Sequence, residues 1–317
     1  MSNLNQSILI TGGSGFAGQH LYNLLLTQGF DDIHVTSYGN KLATDISGKI
    51  KQHALDLTNR EAVFSLLHEV QPTQIYHLAA ISEVADSFVA AEKTILNNTV
   101  LQLNILEGVR VHCPTARVLV IGSGQEYDFI ADSTSPVSEE HPLGPANPYG
   151  VSKVTQDLLG LSYHYAFKLN IIRVRPFNHT GAGQQPAFAI PSFAQQIAVA
   201  EKKGGGEIKV GNMTAIRDIT DVKDVVSAYV LLMNAGVVGE VYNVGSGNGY
   251  SMQELLEGLL KLSETTIQVT SDPSRVRPLD VKQIIADTNK IKQLGWSPSI
   301  PITTTLKNVL DYWRATV

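Results

Sequence analysis

The chain has 317 residues, with 24 Lys+Arg against 29 Asp+Glu and a formal net charge of −5. An apolar share of 43% with 17% charged residues excludes wholesale disorder. The mildly acidic balance leaves no electrostatic footprint for nucleic acid or an anionic membrane, no run approaches the ~18 apolar residues of a membrane span, and a lone Cys113 excludes an intrachain disulfide.

In chain order, the opening MSNLNQSILITGG has no basic leader before its short apolar run, so a cytoplasmic location is expected. Ser7–Ile10, Ile33–Ser37, Gln74–Leu78, Arg117–Ile121 and Asn170–Val174 read as strands covered on both faces, because each is apolar without alternation. Amphipathic stretches separate them at Gly18–Thr27, Arg60–Val70, Ala91–Arg110 and Ser152–Phe167. This alternation predicts an α/β fold, a Rossmann-type doubly wound parallel sheet. Beyond about Pro176 glycine and proline recur and strand signals thin. Glu201–Glu207 (EKKGGGE) reads as a solvated loop and Glu240–Val244 as a strand returning to the sheet. Ser251–Leu262 reads as a helix opened by a Ser251/Glu254 capping box. The expected division is 1–175 plus about 216–245 for the cofactor domain, with 176–215 and 246–317 as a smaller, loop-rich C-terminal substrate lobe.

The first strand runs into Thr11-Gly12-Gly13-Ser14-Gly15-Phe16-Ala17-Gly18. Gly12, Gly15 and Gly18 at this spacing permit a tight turn, close approach of backbone to a pyrophosphate, and close helix–sheet packing. The second strand ends Thr36-Ser37-Tyr38-Gly39-Asn40-Lys41, where an NAD-selective site places an acid. Ser37, Asn40 and Lys41 instead suit a 2′-phosphate, so NADP(H) is expected over NAD(H). Asp56-Leu57, after the apparent third strand, is placed to flank the adenine.

Tyr149 and Lys153 stand at i and i+4, on one helical face. An ammonium beside a phenol stabilises the phenolate and brings proton exchange toward neutrality. Ser123 follows the strand Arg117–Ile121, at the carboxyl end where such sheets bind ligands, and is placed to hydrogen-bond a reacting carbonyl. The nine histidines are scattered without metal-ligand spacing, so no metal is implied.

Together with His77-Leu78-Ala79-Ala80, Asn98, Arg175-Pro176-Phe177-Asn178, Arg217-Asp218, Arg277-Pro278 and Leu294–Pro298, these motifs resemble the extended short-chain dehydrogenase/reductase family that acts on nucleotide-sugars. The resemblance covers almost the whole chain. It is strongest to the branch reducing GDP-linked 4-keto-6-deoxyhexoses, through Ser138-Glu139-Glu140, Pro148–Lys153, Phe177–Gly181, Lys209–Thr220 and Val276–Val281.

The resemblance implies Tyr149 as general acid, Lys153 on the nicotinamide ribose and Ser123 on the keto oxygen. Phe16, Leu78, Ala79, Ala80, Asn98 and His179 would line the cofactor, with His179 near the nicotinamide or Lys153. Ser82, Gln125, Glu126, Asn178, Val210 and Asn212 would line the sugar nucleotide. Arg217 and Arg277 would clamp its diphosphate, and Asp280 stands where the family has a glutamate for the nucleoside ribose. Related 4,6-dehydratases carry a glutamate where this chain has Gln125, and an amide cannot cycle a proton. A GDP-linked substrate and a homodimer through Ala91–Arg110 and Ser152–Phe167 are implied, with no nucleic-acid or membrane partner. An NAD-dependent nucleotide-sugar 4-epimerase and a non-catalytic NADP(H)-sensing protein are the alternative readings.

Overall fold

A computed structural model describes residues 6–39, 48–129, 136–276 and 281–317. In the first half, β1 (Ile8–Thr11), α1 (Phe16–Thr27), β2 (Ile33–Ser37), β3 (Ile50–Ala54), α2 (Arg60–Val70) and β4 (Gln74–His77) are followed by α3 (Val84–Val89), α4 (Ala91–His112) and β5 (Arg117–Ile121). Then come α5 (Pro148–Phe167), β6 (Asn170–Pro176), β7 (Asn178–Thr180), α6 (Ala189–Lys202), β8 (Gly206–Val210), β9 (Ile216–Asp221) and α7 (Val222–Ala235). The chain ends with β10 (Val241–Val244), β11 (Gly249–Ser251), α8 (Met252–Leu260), β12 (Ile267–Ser271), β13 (Gln283–Ile284), α9 (Asn289–Lys292) and α10 (Ile302–Thr316).

Seven parallel strands form the main sheet in the order β10-β6-β5-β4-β1-β2-β3. Strand order reverses between β1 and β4, the switch point outside which such sheets bind ligands. Alternate residues feed two cores. Ile8, Ile10, Leu119 and Ile172 pack under α1 and α7, whereas Leu9, Val118, Val120 and Ile171 pack under α2, α4 and α5. Burial on both faces is why these strands read as continuous apolar runs. Edge strand β3 is half exposed and correspondingly mixed in sequence, IKQHA.

The expected strand at Glu240–Val244 forms as β10, paired in parallel with β6. The second half carries more strands than its sequence suggests. A four-stranded sheet joins β11, β9 and β13, with β7 pairing β9, and β12 pairs β8. Most of these strands have only two to five residues, too few for a hydrophobic period to declare itself. EKKGGGE is not all loop: Glu201 and Lys202 close α6, and Gly206 and Glu207 open β8. Helices α6, α8 and α10 share a third core around Phe193, Leu256 and Trp313. The expected capping box is present at α8, where the Ser251 N–H donates to Glu254 at 2.7 Å and the Glu254 N–H to the Ser251 hydroxyl at 3.1 Å. Helix α5 starts four residues before its expected limit, with Asn147 as N-cap and Pro148 in the first turn. That extension sets Tyr149 and Lys153 on one regular helix.

Among the described residues, no helix is long and apolar enough to cross a membrane, and no three metal-ligating side chains converge.

Candidate active site

The glycine loop is built by exclusion of side chains. Gly12 has φ +68°, and a Cβ there would lie 3.0 Å from the Ala79 backbone. At Gly18 a Cβ would lie 2.6 Å from the Gly12 carbonyl oxygen, so the helix could not approach the turn. Gly13, outside the expected triplet, is as constrained: its Cβ would meet Val35 Cβ at 2.5 Å. Its signal was visible in the TGGSG run, but a three-glycine template passes over it. The Gly12 N–H donates to the Thr36 hydroxyl at 3.1 Å and Gly13 N–H to the Thr36 carbonyl at 3.0 Å, tying the turn to β2. Helix α1 follows Gly15 at its N-cap, with no side-chain cap and no first-turn acid. Its amino end therefore keeps donors and a positive dipole for an anion.

Ser37 ends β2 only 2% exposed, and its hydroxyl has no protein partner. A buried hydroxyl without a partner costs free energy unless a ligand or water completes it. Asp56 is exposed and accepts from the backbone and hydroxyl of Thr58, both at 2.8 Å. Leu57 turns its side chain into the core. Asn40, Lys41, Arg277 and Asp280 lie outside the described residues.

Three elements converge at the strand ends. Ser123 follows β5; its hydroxyl accepts from the Gln125 N–H at 3.1 Å and its side chain hydrogen-bonds Tyr149. The Lys153 ammonium sits 5.9 Å from the Tyr149 ring centre and donates to Ile121 O and Gln156 Oε1, each at 2.9 Å. Burial pulls the Lys153 ammonium down to about 8, with Glu126 opposing that shift. The expected lowering of Tyr149 by Lys153 does not emerge. Burial raises the phenol, partly offset by the Ser123 hydrogen bond, and Glu126 pushes it the same way as burial. The phenol is thus held in its protonated form at neutral pH.

Several residues expected at the ligands have partners within the protein. Glu126 is fully buried: its carboxylate accepts from the Ser123 N–H at 2.6 Å and from Arg175 Nε at 2.9 Å. Arg175 also donates to Asp157 at 2.7 Å, and Arg173 joins the same carboxylate at 3.0 Å. Glu126 therefore links the Ser123 loop to β6 and, through Arg175 and Asp157, to α5. Asn98, also fully buried, bonds both ways to the Ile81 backbone at 2.8 and 3.0 Å and donates to Ser152 at 2.9 Å. It braces the Leu78-Ala79-Ala80 turn against α5. Val210 is core.

Gln125 Oε1 accepts from Asn147 Nδ2 at 3.0 Å, while Asn147 Oδ1 receives the Gly150 N–H at 2.8 Å. Gln125 thus steadies the first turn of α5. Gly124 has a reason too, since a Cβ would press on the Phe177 ring at 3.1 Å. Neither Asn147 nor Phe177 was singled out for these contacts, although Asn-Pro before a helical pattern is a start signal.

On the other rim, β7 pairs with β9, aligning Asn178 with Ile219 and His179 with Thr220. Asn178 is exposed, as is Ser82. The His179 ring lies parallel to Phe16 at 6.2 Å, against the first turn of α1. Burial lowers its basicity. Arg217 is buried in β9, donating to Ile216 O at 2.8 Å, and Asn212 receives Thr214 at 2.9 and 3.0 Å. Gly211 packs on the Arg275 carbonyl, where a Cβ would come within 2.6 Å.

The family model described as GDP-mannose 4,6 dehydratase matches residues 9–309. A GDP-6-deoxy-D-mannose reductase of Pseudomonas aeruginosa is 31% identical over 99% of both chains. The structure of RMD from the same organism complexed with NADPH superposes with TM-score 0.85 at 30% identity, covering 99% of this chain and 100% of that one. The UDP-glucose 4-epimerase of Thermotoga maritima with UDP-glucose gives TM-score 0.88 at 25% identity, over 98% and 99%. With its glycine cradle, its Ser123/Tyr149/Lys153 grouping and this match over nearly its full length, the chain belongs to the GDP-mannose 4,6-dehydratase family of NAD(P)-dependent short-chain dehydrogenases/reductases.

Proposed function

We propose that the chain is an NADPH-dependent reductase of a GDP-linked 4-keto-6-deoxyhexose, with Tyr149 protonating the C4 oxygen. The observation that carries this reading is the full-length likeness to the Pseudomonas reductase and to the NADPH-bound structure. Three features support the cofactor's fit: the side-chain-free cradle, the uncapped start of α1, and the partnerless Ser37 hydroxyl where an acid would select NAD. The dinucleotide supplies the hydride. Residues of the chain do the rest. The glycine loop and α1 hold the pyrophosphate, Lys153 has an N–H to spare for a ribose hydroxyl, and Ser123 with Tyr149 receives the keto oxygen. A phenol kept protonated by burial is the form that donates to a developing alkoxide. Gln125 disfavours dehydration because an amide cannot exchange a proton at neutral pH. Arg217 and, on the resemblance, Arg277 serve the diphosphate.

Purified protein with GDP-4-keto-6-deoxy-D-mannose should consume NADPH and prefer it over NADH by at least about tenfold in kcat/KM. Ser37→Asp should erode that preference by repelling the 2′-phosphate. The likeness to UDP-glucose 4-epimerases favours a second reading. Protein that retains NAD through dialysis and interconverts UDP-glucose with its C4 epimer, without added NADPH, would establish it.

We also infer a homodimer. Leu96 on α4 and Val151, Leu158 and Tyr165 on α5 are 40–64% exposed, an apolar stripe on two helices that already pack side by side. Leu158→Arg should shift the molecular mass measured by light scattering from dimer to monomer. An unchanged dimer would place the interface elsewhere.

A further inference from the structure

The Lys153 ammonium has three N–H donors and is nearly enclosed. Two are committed inside the protein, to the Ile121 carbonyl and to Gln156 Oε1, each at 2.9 Å. Gln156 stands three residues along α5 and is 1% exposed. Its Nε2 donates at 3.5 Å to Oε1 of Gln102 on α4, which is also fully buried, and Gln102 Nε2 has no protein partner. Two enclosed amides between packed helices are costly if packing were their only task, because an aliphatic side chain there carries no desolvation penalty. The neighbouring Asp157 turns instead to Arg173 and Arg175, so it does not serve Lys153.

We propose that Gln156 is a positioning residue: its side-chain oxygen fixes Lys153 so that the third N–H faces the cofactor ribose, and Gln102 fixes the orientation of the Gln156 amide. The proposal rests on the reading above that Lys153 binds that ribose. An amide suits the task because it accepts a hydrogen bond without neutralising the ammonium, leaving the positive charge for the ligand. A carboxylate would also hold the lysine but would pair with its charge. The titratable groups facing the ammonium are Glu126 after β5, Tyr149 on α5 and His77 at the end of β4. Burial brings the lysine to about 8, so its loss of charge falls in a range where binding can be followed.

The test is the NADPH dissociation constant, measured by fluorescence across pH without any sugar substrate. Gln156→Met should weaken binding about tenfold, the worth of one hydrogen bond to a charged group, and should lower the pH above which affinity falls. Gln156→Glu keeps an acceptor oxygen; it should stay within about threefold of the parent and raise that pH. A packing role gives the opposite order, with Met tolerated and Glu damaging, and would overturn the proposal. So would parental affinity and pH dependence in both variants while Lys153→Met binds weakly. Parental NADPH affinity in Lys153→Met would instead remove the underlying reading of Lys153. If a Gln156 variant does not fold, Gln102→Leu decides: a smaller loss of affinity with the same downward pH shift supports the proposal, and an unchanged profile overturns it.

Discussion

Tyr149→Phe is expected to retain the fold and NADPH affinity while turnover falls by ~10²–10⁴-fold, the usual worth of a positioned general acid. The substitution removes one oxygen from a partly enclosed ring and leaves α5, anchored by Asn147 and Asn98, unchanged. The lost atom hydrogen-bonds the Ser123 side chain, so the Ser123 hydroxyl could still donate a hydrogen bond to a keto oxygen, but no phenol would be there to protonate the alkoxide. Water could not replace it cheaply in a site closed by cofactor and sugar. Stopped-flow rates of NADPH oxidation at saturating substrate check this. Turnover within about threefold of the parent would take Tyr149 out of the proton transfer.

Arg175→Met should be the most damaging single change to stability. Arg175 is 3% exposed and bridges two carboxylates that are fully buried, Glu126 at 2.9 Å and Asp157 at 2.7 Å. Methionine fills much of the volume but leaves Asp157 to Arg173 alone and Glu126 with no arginine. Removing one member of a buried ionic cluster costs about 3–5 kcal/mol, a large part of a typical ~5–15 kcal/mol total. The pH dependence has a definite sign. Burial and Asp157 already raise Glu126 above the ordinary carboxylate range, although Arg175 opposes them. Without the arginine the neutral acid is favoured further, so the destabilisation should grow from about pH 7 to about pH 9, as the pH rises through the value of about 8 that Glu126 has in the parent. Urea unfolding at both pH values checks it, and a deficit independent of pH would assign the loss to packing. Because Glu126 also holds the Ser123 N–H, activity should fall before the protein unfolds.

The parts legible in the sequence were those with a period or a template. Ile33–Ser37 and Arg117–Ile121 match their expected limits outright and the strands at Ile8, Gln74 and Asn170 lie within two residues of theirs, because burial on both faces writes an apolar run without alternation. The capping box of α8 was legible because it joins residues three apart. What stayed hidden was long-range. Glu126 reads, on the resemblance, as a sugar-nucleotide contact, and its bond to Arg175, 49 residues away, has no signal in the sequence. Asn98 reads as a ligand-facing amide, yet its partners are Ile81 and Ser152. Gly13 and Gly124 are small because Val35 and Phe177 lie against them, contacts fixed only by the tertiary fold. The short strands of the second half are held by pairing to β9 and β8, not by local preference.

The proposed hydride transfer is tested most directly by isotope. Reaction of GDP-4-keto-6-deoxy-D-mannose with NADPH dideuterated at the nicotinamide C4 should give a GDP-6-deoxyhexose carrying one deuterium at sugar C4, read by mass spectrometry and NMR. The label should be absent when Tyr149→Phe replaces the parent over the same time. A product without deuterium, formed with no net consumption of NADPH, would contradict reduction and assign the chain to epimerisation on a retained cofactor.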